Sequence, residues 1–171
     1  MKLYHMIILS MLVIFMSGCG SSNNKSALLV DVAVVAKALG SNEAINDQIA
    51  SAEKQLNEQL NNIAIDLNKQ VKDKQKTLTK KSSKKDKQAV EQFEQQAQQT
   101  MRNKKLEAQN KINQLKTGLL NKFRADVKAA AEPIAEAAGV EMVMIVTAST
   151  LWFDPEVDIT DEVIARMRAT K

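Results

Sequence analysis

The chain has 171 residues, a formal charge of +4 and an aromatic content of only 4%. Its one histidine, His5, and its one cysteine, Cys19, both lie before residue 20, so the rest can hold no His/Cys metal cluster, no catalytic triad built on histidine and no internal disulfide. Carboxylate chemistry survives this exclusion, but each Asp and Glu sits in a pattern with a simpler structural account.

Lys2 opens a short positive segment, Met6 to Met16 is apolar apart from Ser10, and Ser17, Gly18 and Gly20 are small. A charged start, a brief apolar core and small residues before a cut site make an export signal. The core falls short of the roughly 20 apolar residues that span a bilayer. Met16-Ser17-Gly18-Cys19 resembles a bacterial lipobox, where cleavage precedes the cysteine and the thiol is acylated; Met16 stands where Leu is usual. Several acyl chains, at roughly 0.8 kcal/mol per buried methylene, anchor firmly where one chain does not. Asp after such a cysteine resembles inner-membrane retention, so Gly20 resembles an outer-membrane destination. The expectation is a signal peptide over 1–18 and a polar tether over 19–27, lipidated at Cys19. That leaves 153 residues, enough for one domain.

Residues 28–35, LLVDVAVV, read as a strand apolar on both faces, with Asp31 as a strand-end or helix-capping carboxylate. Val35 to Leu39 suggest a helical turn closed by Gly40. Ser41 and Asn42 are candidate caps for a long helical pattern. Ile45, Ile49, Ala52, Leu56, Leu60, Ile63, Leu67, Val71 and Leu78 form one apolar stripe. Val90, Phe93, Ala97, Met101, Ala108, Ile112, Leu115, Leu119, Phe123, Val127, Ala130 and Ile134 form a second. Both advance by about 3.67 residues per step, close to the helix's own 3.6, which predicts two long and nearly straight helices. No proline lies within 41–132, and KKSSKK at 80–85 offers a turn. An antiparallel hairpin with arms of about 40 residues, roughly 60 Å each, follows. A single unbroken helix is the other reading of the same pattern.

Asn and Gln crowd the stripes, so the arms should pack lightly. Gly118 reads either as a hinge or as a packing glycine, and Pro133 as a bend or restart before Gly139 ends the helix. Residues 140–148 read as a second strand, 150–153 as part of a third, and Asp154-Pro155 as a turn. Asp158 is a candidate cap for a last helix. Asp161 and Glu162 fall in its first turn, and Ile159, Val163, Ile164 and Met167 on its packed face. The fold class is α+β: a small β body from 28–41 and 139–171, and a long coiled-coil-like hairpin over 42–138 with its tip near 80–85. So small a body, with exposed apolar strands, invites closure with copies of itself.

From Lys69 to Lys87 there are nine lysines and two aspartates, a net of +7 against +4 for the whole chain. The bland reading is a solvated tip kept from clumping by repulsion. The functional one is attraction to acidic surfaces: anionic lipid, lipopolysaccharide or acidic client segments. Charge alone does not separate them. Nucleic acid also suits the charge, but it does not suit an exported chain without interleaved aromatics, and none is expected as a partner.

The most specific segment is the last: Gly139, then Asp154, Pro155, Val157, Asp158, Ile159, Thr160, Asp161, Glu162, Val163 and Ile164. With the opening VDVAVVAKAL and the strand–hairpin–strand order, this tail resembles the OmpH/Skp family of periplasmic chaperones, over about 28–171. The resemblance implies a jellyfish-shaped homotrimer. Its small β body would use Val30, Val32, Val34, Val143 and Ile145, and its hairpins would enclose a cavity. It implies an ATP-independent holdase for unfolded outer-membrane proteins, with no catalytic site and no cofactor. Ile63, Leu67, Val71, Phe93 and Met101 would then pack the arms or face clients, and Lys80, Lys81, Lys84 and Lys85 would form the positive tip. Typical members are soluble in the periplasm, whereas Cys19 places this chain on membrane lipid at the periplasmic side of the envelope. A structural spacer or adaptor lipoprotein is the alternative function.

Overall fold

The computed structural model describes residues 27–170. The expected signal peptide, the lipobox at Cys19 and most of the tether lie outside the described residues. Seven elements follow in order. They are β1 (Leu28–Val30), α1 (Val32–Ala38), α2 (Ser41–Lys76), α3 (Lys84–Ala138), β2 (Val143–Ile145), a 3-10 turn (Pro155–Val157) and α4 (Thr160–Ala169).

The first strand is shorter than its sequence pattern. It stops at Val30 because Asp31 accepts hydrogen bonds on Oδ1 from the amides of Ala33 (2.9 Å) and Val34 (3.0 Å) and so starts α1. The valines at 32, 34 and 35 are therefore helical, although β-branched residues favour strands. Packing overrides that preference: Val32, Val35, Ala36 and Leu39 fall at i, i+3, i+4 and i+7 and line the core. Gly40, at φ +64°, ends α1 and serves as the N-cap of α2. Ser41 and Asn42 are thus not the caps; Ser41 is already the first helical residue, and no side chain caps α2.

The two long helices form the arms, about 54 Å for 36 residues and about 80 Å for 55 at 1.5 Å per residue. The chain leaves helix between them, so the unbroken-helix reading fails. Ser83 Oγ accepts from the amide of Asp86 (3.1 Å), and Asp86 Oδ2 accepts from the amide of Ser83 (2.9 Å); this reciprocal capping box starts α3. Pro133 neither stops nor restarts α3, which runs unbroken to Ala138. A proline there removes one amide donor, and Ala130, Ala131 and Ala135, all buried against the base, hold the helix on both sides of it. Gly139, at φ +66°, ends α3; its amide bonds the carbonyl of Glu136, and that of Val140 bonds the carbonyl of Ala135.

β1 and β2 pair in parallel with Leu28 opposite Val143 and Val30 opposite Ile145. The third sheet position is an isolated bridge from Leu29 to Asp158. Residues 150–153 are not a strand: they follow a turn in which Thr150 donates to the carbonyl of Thr147, and Leu151 and Trp152 project away from the fold, 100% and 80% exposed. The core lies at the base, where β1, α1, α4 and the last turns of α3 meet around Val35 and Val163, both fully buried. Asp158 is not the cap of α4: Ile159 holds that position without a side-chain bond, and Asp158, one residue earlier, accepts from the amide and hydroxyl of Thr160. Thr160 Oγ1 accepts in turn from the amide of Asp31 at 2.9 Å, tying the chain's opening to its close.

Candidate functional site

Among the described residues no group of three or more His, Cys, Asp or Glu is placed to hold a metal ion, and every buried side-chain polar atom has a partner. No helix among them is long and apolar enough to cross a membrane. The candidate functional features are therefore surfaces: the inner faces of the arms, the tip and the base.

The arms face each other through their apolar stripes. Leu67 and Val71 line one groove with Ala97 and Met101; Leu56 and Leu60 line another with Ala108 and Ile112. These pairs are symmetric about residue 84. The alanines are the reason the stripes meet without closing. On α3, Val90, Ala97 and Ala108 are buried along the arm, but no residue of α2 is. Ile63, Leu67, Val71, Phe93 and Met101 are all half-buried. Near the tip, Lys74 Nζ lies 4.9 Å above the Phe93 ring, a cation over a π face, and Gln75 Nε2 donates to Glu94 Oε1 at 2.6 Å. Away from the stripes, Ile65 and Leu106 are exposed. The stripe pattern passes over them because each sits on the outer face of its helix.

Lys80, Lys81, Lys84 and Lys85 are all exposed at the tip, and none is in an ion pair among the described residues. Lys84 and Lys85 fall in the first turn of α3, beside the positive end of its dipole. Asp86 is the acid of that turn, and hydrogen bonds from the Ser83 hydroxyl and amide hold its carboxyl below the usual range. Further along α3, Glu107 is paired with Lys104 (2.8 Å) and Lys111 (3.1 Å), which lower its pKa in that order.

At the base, Val30 is buried in the core and Val143 packs against it. Val30, Val32, Val143 and Ile145 all line a cleft of about 550 Å³ between the sheet and the last turns of α3, while Val34 is exposed. Arg124, Lys128, Glu132 and Glu136 rim this cleft from α3. Sequence reasoning missed these four. Their i, i+4 spacing on the polar side of the stripe was the available signal.

The family described as outer membrane protein (OmpH-like) matches residues 27–167. Among solved structures, a Caulobacter crescentus protein, described as a proposed OmpH-like outer membrane chaperone, is similar. It is 16% identical, with a TM-score of 0.55 over 85% of each chain. At that identity the likeness speaks for the fold. A search of curated proteins found no match.

Proposed function

The chain belongs to the OmpH-like family of outer membrane proteins, and on that premise we propose that it is an ATP-independent holdase for unfolded outer-membrane proteins, anchored on the periplasmic side of the envelope by lipid on Cys19. The observation that carries this reading is the unclosed seam: an arm of 36 residues with an apolar stripe and no buried residue. A scaffold built to hold one fixed shape would bury that stripe. Left half-open, it offers many weak apolar contacts to extended chains, which suits a binder of varied clients. Ile63, Leu67, Val71, Phe93 and Met101 supply such contacts, and three copies joined at their bases would surround a client with arms. The unpaired lysines 80, 81, 84 and 85 would draw acidic segments, or an anionic lipid or lipopolysaccharide surface, towards the tip. The chain works by binding, without catalysis or cofactor.

The test uses a soluble form from residue 20 onward, which keeps every described residue. An unfolded outer-membrane β-barrel protein is diluted from urea into it, and aggregation is followed by light scattering. Dose-dependent suppression is expected. No suppression by a folded, helical sample would remove the holdase reading and favour the adaptor. Changing Lys80, Lys81, Lys84 and Lys85 together to Gln should weaken capture at 0.01 M salt, where the Debye length is about 30 Å, and leave it unchanged near 1 M, where it is about 3 Å. Equal capture by variant and parent at both ends would remove the role of the tip charge.

A further inference from the structure

The seam between the arms repeats itself. On α2, Leu56, Asn57 and Leu60 line one groove, and Leu67, Asn68 and Val71, eleven residues on, line the other. On α3, Ala108, Gln109 and Ile112 line the first groove, and Ala97, Gln98 and Met101, eleven residues before, line the second. Eleven residues are close to three full helical turns, so each arm turns the same unit to the seam twice: apolar, carboxamide, apolar. One step nearer the base the unit breaks down, since Leu120 stands where α3 would carry the carboxamide and Phe123 is buried. Asn57, Asn68, Gln98 and Gln109 are exposed, and among the described residues no hydrogen bond holds their side chains. Other carboxamides on the arms are taken: Gln70 donates to Asp66, Gln75 to Glu94 and Gln99 to Asn103.

We propose that these four carboxamides bind the main chain of an extended client segment while the apolar residues between them take its side chains, so that the grooves recognise peptide backbone rather than sequence. This rests on the holdase reading and names which part of a client the arms hold. Three observations point to a main chain as the occupant. The first is the chemistry of the rims. A carboxamide carries donor and acceptor in one neutral plane, as a peptide group does, and unpaired peptide groups are what every part of an unfolded chain presents. The second is charge. Each groove is lined by one acid and one base, Glu94 and Arg102 in one and Glu53 and Lys105 in the other, so neither selects a charged segment of either sign. The third is spacing. Units eleven residues apart on a helix are about 16.5 Å apart, which about five extended residues span. A strand of a membrane barrel, about ten residues of alternating polarity, is long enough to occupy both grooves. Its main-chain bonds would supply affinity common to all clients, and its apolar side chains would enter the floor of each groove.

The test uses the full-length chain and two fluorescent peptides of about ten residues, the length of one barrel strand. Both have the same alternating sequence; one is N-methylated at every second residue, which removes backbone donors and keeps every side chain. Binding is read by fluorescence anisotropy. The parent should bind the unmethylated peptide roughly tenfold more tightly, the worth of one or two net hydrogen bonds. A variant with Asn57→Leu, Asn68→Leu, Gln98→Met and Gln109→Met keeps side-chain size and loses the hydrogen-bonding groups, and it should bind the two peptides equally. Equal binding of both peptides by the parent would overturn the proposal, whether or not the variant folds. So would a helical variant that still prefers the unmethylated peptide, since the preference would then come from elsewhere. If the parent binds neither peptide but suppresses aggregation of the whole barrel protein, main-chain recognition falls and the holdase reading stands. If it does neither, both fall.

Discussion

Asp31 lies between a strand and a helix, and its carboxylate takes the two amides that open α1. Replacing it with Ala should cost roughly 0.5–2 kcal/mol, read as a lower denaturation midpoint, while Asn should keep most of the stability. An unchanged midpoint for the Ala variant would mean that Thr160, which holds the amide of Asp31, fixes the junction alone. Asp86 makes a pH-dependent cap. Its carboxyl is held below its ordinary value of 3.8 by Ser83. A depressed folded value means the contribution is present above about 3.8 and is lost as pH falls through the lower folded value. Carboxyl titration by NMR should place the Asp86 midpoint below 3.8 in the parent and return it towards 3.8 in Ser83→Ala; equal midpoints would deny the capping box. At this scale much was legible. Asp31 and Gly139 announce their roles by residue type, since one offers an acceptor and the other tolerates a positive φ. Ser41 and Asn42 misled, because Gly40 takes the cap position with no side chain to offer.

The helices were legible from their apolar period, and the tip from Ser82 and Ser83 among lysines. The strands were less so. A three-residue strand carries almost no periodic signal, and LLVDVAVV suits strand by composition and helix by spacing; the spacing Val32, Val35, Ala36, Leu39 decides it. The run TLWF at 150–153 has strand composition but no strand partner among the described residues, and a strand needs one. Gly118 lies within α3, and a Cβ there would meet nothing within 4 Å. It is therefore not a packing glycine. Gly118→Ala should stabilise the arm by about 0.5–1 kcal/mol, visible as a higher melting temperature. If the glycine also serves as a hinge, the same variant should capture clients less well despite its greater stability. Undiminished capture would leave it only a tolerated defect of the helix.

The molecule as a whole divides into a closed end and an open one. The base buries Leu28, Val30, Val35, Phe123, Val127, Val163 and Ile164 in one cluster; beyond it the arms rest on alanines and half-buried stripes. Helices far from a core take their stability from whatever apolar face they can cover. Arms of this kind should loosen readily and tighten around a client. The α+β class and the order of its parts were readable from the sequence, but the cleft and the projecting loop were not, since both arise from chain segments distant in sequence. The central claim is that these arms hold an unfolded barrel protein. Native mass measurement of the soluble form mixed with such a client, with hydrogen exchange on the same sample, addresses it directly. The account predicts a complex of several copies with one client whose amides stay unprotected while those of the arms slow their exchange. A chain that forms no complex, or binds the folded barrel equally well, would contradict it.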